Sequence, residues 1–86
     1  MKIQDMSPFF GIAIRRLRAE FGWSQEQLAE IAELNKNFIS KLERAEQQPS
    51  LETLYRIAHA FNRTGSAFLS EVEDLAARPR KKNTAR

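Results

Sequence analysis

The sequence predicts an all-α domain of five helices. Three observations carry that reading. No stretch alternates apolar and polar residues over a strand's length. Apolar residues recur at three- and four-residue spacing almost throughout, and the breaks between these runs hold residues that begin and end helices. A chain of 86 residues fits one domain with a single modest core, which we place at residues 1–77, followed by a polar tail at 78–86.

The first helix starts near Pro8, a residue suited to a first turn. It carries Phe10, Ala13, Ile14, Leu17 and Phe21 on one face, with Gly22 placed as its C-cap. Ser24-Gln25-Glu26-Gln27 is a capping box for the second helix, with Trp23 and Leu28 placed as a hydrophobic staple. That helix is short, ending near Ala32, and is expected to bury Leu28, Ala29, Ile31 and Ala32. Asn35 caps the third helix, which continues to Glu43 or Arg44, with Leu34 and Ile39 as its staple. Pro49-Ser50 announces the fourth, whose expected face is Leu51, Leu54, Tyr55, Ala58 and Phe61, with Ile57 beside it. After the break from Asn62 to Gly65, the fifth spans about 66–76 and carries Phe68, Leu69, Val72 and Leu75.

Composition narrows the function classes. With 42% hydrophobic and 29% charged residues the chain is balanced as a globular protein, and its lack of cysteine removes disulfides, thiolate metal sites and thiol nucleophiles. One histidine and no glycine-rich phosphate loop leave no nucleophile, base and orienting group to assemble, so no enzyme, cofactor or metal is expected. The apolar run Phe9 to Ile14 meets Arg15 and Arg16 far too soon to span a bilayer, and Asp5 and Pro8 interrupt any signal-like start. We expect a cytoplasmic protein with no membrane partner.

The sequence pI near 9.7 and net charge of +3 are misleading until the charges are placed. Five cations, Arg78, Arg80, Lys81, Lys82 and Arg86, fall in the last nine residues; through Ala77 nine Lys/Arg face eleven Asp/Glu, a net −2. A DNA reading must therefore rest on where charge lies within the fold.

The third helix supplies that placement. At about 100° per residue, Lys36, Asn37, Ser40, Lys41 and Arg44 share one arc, with Phe38, Ile39 and Leu42 opposite and no acidic residue on the arc. Lysine donates to guanine acceptors or phosphate, and asparagine matches the paired donor and acceptor of adenine in the major groove. A solvated face explains most short polar arcs. Here the arc follows a short capped helix and a tight connection, which is the helix-turn-helix arrangement, spanning about 24–44.

The chain resembles the phage-repressor-like (Xre-type) helix-turn-helix regulators over Phe10 to Phe61. The matching segments are Ile14-Arg15-Arg16-Leu17-Arg18, Gly22 through Glu30, Phe38 through Arg44, and Pro49-Ser50-Leu51-Glu52-Thr53-Leu54. The resemblance implies a lambda-repressor-like five-helix DNA-binding domain, a class that includes phage repressors and controller proteins of restriction-modification operons. It implies that Lys36, Asn37 and Lys41 meet base edges, with Ser40 near enough to touch base or phosphate. Gln25 corresponds to a phosphate-binding glutamine, and Arg44 with Gln47 and Gln48 to a second phosphate clamp. Arg18 and Glu43 correspond to a structural ion pair between the first and third helices. Two positions depart from the pattern: Glu33 and Ala45 stand where the family often has glycine.

The apolar stripe of Phe68, Leu69, Val72 and Leu75 exceeds what a four-helix core needs, which points to a partner surface. The resemblance implies that this region forms a two-fold dimer with paired half-sites about one DNA turn apart, the alternative being that the helix closes the chain's own core. His59 has no second ligand at metal spacing, and Glu71, Glu73 and Asp74 have no calcium-loop glycine; both read as surface features. Trp23 reads as packing, and the basic tail either as a phosphate-tracking arm or as a solubilising segment. The leading function is thus a homodimeric, sequence-specific transcriptional regulator bound to operator DNA in the nucleoid, with RNA polymerase as a further partner. The alternative is an antitoxin that neutralises a toxin protein and regulates its own operon.

Overall fold

The computed structural model describes residues 5–78. Within them the chain forms five helices and no strand: α1 (Ser7–Phe21), α2 (Gln25–Ala32), α3 (Lys36–Glu43), α4 (Leu51–Ala60) and α5 (Gly65–Ala77). Of the predicted basic tail, residues 79–86 lie outside the described residues, as do residues 1–4 of the predicted domain. No helix among the described residues is long and apolar enough to cross a membrane.

Local chemistry sets each boundary. Pro8 sits in the first turn of α1, where its missing N–H costs nothing, and Asp5 Oδ1 accepts from the Ser7 N–H at 3.0 Å. At the other end Gly22 adopts the left-handed conformation at φ 71°, and the Trp23 N–H closes back on the Arg18 carbonyl at 2.9 Å. Both halves of the Ser24–Gln27 capping box are formed, at 3.1 and 2.8 Å. Asn35, Ser50 and Thr64 cap α3, α4 and α5, each accepting a backbone N–H of the first turn.

Helices α2, α3 and α4 are each followed by a left-handed residue that is not glycine: Glu33 at φ 60°, Ala45 at φ 60° and Asn62 at φ 61°. Asparagine tolerates this conformation; alanine gains nothing from it and carries the Cβ penalty. Ala45→Gly is therefore expected to raise the unfolding free energy by up to about 1 kcal/mol, relief of the left-handed strain outweighing the added flexibility of the unfolded chain. A rise of a few degrees in the melting midpoint would register it, and an unchanged or lower midpoint would show that the turn carries no strain.

The core draws on all five helices. Ile14, Leu28, Ile39, Leu42, Ile57, Phe61 and Phe68 are fully enclosed. Helix α1 packs on α3 and α5, α2 packs on α3 and α4, and α4 packs on α5. Phe10 meets Phe68 edge to face with ring centres 5.3 Å apart. Trp23 stacks on Phe61 at 5.4 Å and touches Phe21, so this indole belongs to an aromatic cluster that closes the α1–α2 connection over α4.

Four residues expected on inward faces are not in the core. Phe21, at the end of α1, is 39% exposed and lies against Trp23 and Phe61. Ile31 is 48% exposed, because the short helix α2 turns an arc centred on Leu28, Ala29 and Ala32 inward, and Ile31 falls just beyond its edge. Leu51 and Tyr55 are 68% and 49% exposed, because α4 is rotated to bury Thr53, Leu54, Ile57 and Ala58. The converse correction falls on α5. Phe68 and Val72, expected at a dimer interface, are 0% and 1% exposed within a single chain and complete its own core. Leu69 keeps an exposed face and Leu75 is half-buried.

Candidate nucleic-acid interface

Helix α3 is held from behind and free in front. Its inner residues Ile39 and Leu42 have no exposed surface and Phe38 packs on the core edge, while Lys36, Asn37, Lys41 and Arg44 are exposed and Ser40 is half-buried. The Asn35 side chain accepts the Asn37 N–H at 2.7 Å, which fixes the end of the helix that a major groove would receive.

The orientation of α3 is set by one buried carboxylate. Glu43 retains 4% side-chain exposure and is gripped in fork geometry: Arg18 Nε donates to Oε2 at 2.6 Å and Arg18 Nη2 to Oε1 at 3.0 Å. Arg18 Nη1 donates to the Trp23 carbonyl at 2.9 Å, and Gln25 Nε2 donates to Glu43 Oε1 at 3.0 Å. A single acidic side chain thus joins α1, the α1–α2 connection and the start of α2 to the end of α3. The hydrogen bonds to Glu43 raise the Arg18 pKa, keeping its guanidinium fully charged. Gln25, expected to bind a phosphate, has one amide N–H committed to this network. What remains for an anion is its second N–H together with the α2 N-terminus.

The outer face carries two carboxylates that the single-helix projection omits. Lys36 Nζ lies 4.0 Å from Glu26 Oε2, an open pair of little energetic weight. The second is closer and forked: Arg44 Nε and Nη2 donate to Glu46 Oε2 and Oε1 at 2.9 and 3.1 Å, while Arg44 Nη1 donates to Ser40 Oγ. Hydrogen bonding to Arg44 holds the Glu46 carboxyl below its ordinary range, and the same bonds raise the Arg44 pKa. The left-handed turn at Ala45 makes this possible, since it folds the chain so that the Glu46 N–H reaches the Lys41 carbonyl at 2.9 Å. Gln47 and Gln48 follow, both exposed.

Lys36, Asn37, Ser40, Lys41 and Arg44 therefore share one surface, with Gln47 and Gln48 in the segment leading away from it. The sequence reading missed the position of Glu46. A helix projection ends with the helix, and Glu46 returns to the face through a turn. Of the surface features set aside earlier, His59 is exposed and Glu71 pairs with Arg63. No cluster of potential metal ligands occurs among the described residues.

Comparison with known proteins identifies the family of this fold. The helix-turn-helix family HTH_3 matches residues 14–68. The chain is 32% identical over 68 residues to the HTH-type transcriptional regulator SutR of Escherichia coli K12, covering 79% of this chain and 38% of SutR. It thus spans well under half the length of that relative. Among solved structures it is similar to the clp gene regulator ClgR of Corynebacterium glutamicum, with a TM-score of 0.76 and 29% identity over 84% of this chain and 77% of that one. It is also similar to the restriction-modification controller protein C.AhdI of Aeromonas hydrophila, with a TM-score of 0.68 and 30% identity over 74% of this chain and 96% of that one.

Proposed function

The chain belongs to the HTH_3 (Xre-type) family of DNA-binding helix-turn-helix transcription regulators, and we propose that it binds a two-fold operator as a homodimer, each subunit reading the major groove with α3. The observation that carries this reading is the division of α3 into an enclosed face, Ile39 and Leu42, and an exposed face, Lys36, Asn37 and Lys41. Those three side chains read base edges. Gln25, Arg44, Gln47 and Gln48 hold the phosphate backbone, which positions the subunit without reading sequence. Ser40 supports Arg44 from behind, so its contribution is to the clamp more than to a base.

The dimer rests on exposed apolar side chains. Leu51 and Tyr55 on α4 and Leu69 on α5 are three of the five large hydrophobic residues left exposed among the described residues. Together these three form an apolar strip; Leu75, half-buried against the core edge, falls about 120° around α5 from Leu69 and lies outside it. Pairing two copies through this strip removes it from water and replaces the interface expected from Phe68 and Val72. The similarity to the restriction-modification controller protein C.AhdI, at 30% identity over 96% of that chain, supports a regulatory role.

Selection from random duplex DNA at near-physiological salt tests the proposal, with the wild-type protein and its Lys36→Ala/Asn37→Ala/Lys41→Ala variant run in parallel. We expect the wild type to enrich a two-fold site with half-sites about 10 base pairs apart and the variant to enrich none, each lost base contact being worth about 1–3 kcal/mol of discrimination. Enrichment of the same site by the variant would remove α3 as the reader. An asymmetric single site would remove the dimer.

A further inference from the structure

We propose that Glu46 is an internal competitor of the DNA phosphate for Arg44, and that it sets how tightly this protein holds duplex DNA of any sequence. The inference rests on the reading of the α3 face as the DNA-facing surface. Three of the five guanidinium donors of Arg44 are occupied before any ligand arrives, two by the Glu46 carboxylate in fork geometry and one by Ser40 Oγ. A fork of this kind is the same two-point arrangement by which arginine holds a phosphate. A phosphate therefore either displaces Glu46 or shares the guanidinium with a carboxylate a few ångströms away. In both cases one negative charge per subunit stays beside the DNA backbone.

The pair is neutral as a unit, so Arg44 adds no net charge to the encounter although it lies on the binding face. Both side chains are half-exposed, at 53% each, which leaves the pair weak enough to open. Its position is fixed by the backbone: Ala45 holds the left-handed turn and the Glu46 N–H is tied to the Lys41 carbonyl. The carboxylate thus remains on this face whether or not it holds Arg44. With a folded body of net −2, each uncompensated cation on the face weighs heavily, and cancelling one of them lowers sequence-independent affinity.

The test uses the full chain and a random-sequence duplex, so no operator is required. Wild type, Glu46→Gln and Asp74→Asn are titrated against the duplex from ~0.1 M to ~1 M salt. Asp74 is exposed on α5 in the cleft against Arg16 and Leu17 of α1, and its amide variant makes the same change in net charge at a site that includes none of the proposed DNA residues. Glu46→Gln is expected to bind roughly eightfold tighter per engaged subunit at ~0.1 M salt and to converge on wild type near ~1 M. Its salt slope steepens by about 0.9 per subunit, the value of one additional neutralised phosphate. Asp74→Asn is expected to follow wild type. An unchanged slope for Glu46→Gln, or an equal change for Asp74→Asn, overturns the proposal while leaving DNA binding intact. Weaker binding by Glu46→Gln overturns it in another way, by making Glu46 itself a contact to the duplex, as an acceptor for a cytosine amino group. Absence of binding by the wild type removes the DNA reading itself and this proposal with it.

Discussion

Arg18→Met is expected to lower the unfolding free energy by about 3–5 kcal/mol, a large share of the ~5–15 kcal/mol that holds a small domain folded. The cost comes from what is left behind. Glu43 has 4% of its side chain exposed, and without Arg18 its carboxylate keeps only the Gln25 amide at 3.0 Å. Methionine fills the aliphatic path of the arginine but offers no donor, so a buried charge loses the fork that offset its desolvation. Glu43→Gln is the milder change. Arg18 is one-fifth exposed, retains the Trp23 carbonyl at 2.9 Å, and can turn its freed donors to water. The pair Arg18→Met/Glu43→Leu removes both charges together and is expected to recover most of the loss, because an apolar replacement of a buried pair carries no stranded charge. Urea unfolding of the four proteins reads these differences directly. Equal stability of Arg18→Met and wild type would mean that the end of α3 opens and hydrates Glu43, and that the pair does not fix the helix.

That network also marks how far the sequence alone could be read. Helix existence and order are legible because the signals are local: Ser24 with Gln27, Asn35 before Lys36, Gly22 after Phe21 and Ser50 before Leu51 each satisfy backbone groups within a few residues. The outward face of α3 is legible for the same reason, since periodicity within one helix separates Lys36, Asn37 and Lys41 from Ile39 and Leu42. Helix phase within the assembled core is less so. The apolar content of α4 admits several rotations, and only packing against α2 and α5 chooses the one that leaves Leu51 and Tyr55 outside. On α5 the stripe is real, but its division between core and surface is tertiary: Phe68 meets Phe10, fifty-eight positions earlier in the chain, and no local pattern encodes that encounter. The return of Glu46 to the α3 face is hidden from a helix projection because it depends on the left-handed conformation of Ala45, which only the family's usual glycine at that position signals.

Gly11→Ala is expected to destabilise the domain by about 1–3 kcal/mol, although alanine is the better helix former. In an exposed helix the same change would stabilise by roughly 0.5–1 kcal/mol. Gly11 instead lies where α1 crosses α3: a Cβ there would sit 2.7 Å from the Glu43 carbonyl oxygen and 2.8 Å from that of Leu42. Both obstacles are backbone atoms at the end of α3, anchored by the enclosed Leu42 side chain and by the Arg18–Glu43 fork, so no side chain can swing aside to make room. Relief requires α3 to move as a unit, which shifts Lys36, Asn37 and Lys41 together. The variant should therefore lose sequence-specific DNA binding under conditions where thermal unfolding shows it still folded. Gly65→Ala is the matched control. Its Cβ would run into the Tyr55 ring, which is half-exposed in the single chain and yields by turning outward; a change in the stability of one subunit within about 0.5 kcal/mol is expected, as for surface substitutions generally, the displaced ring weakening only the pairing proposed through Tyr55. If Gly11→Ala proved as benign as Gly65→Ala, the α1–α3 crossing would have to be looser than its geometry implies. The angle of α3 would then rest on the Arg18–Glu43 pair and on the enclosed Ile39 and Leu42.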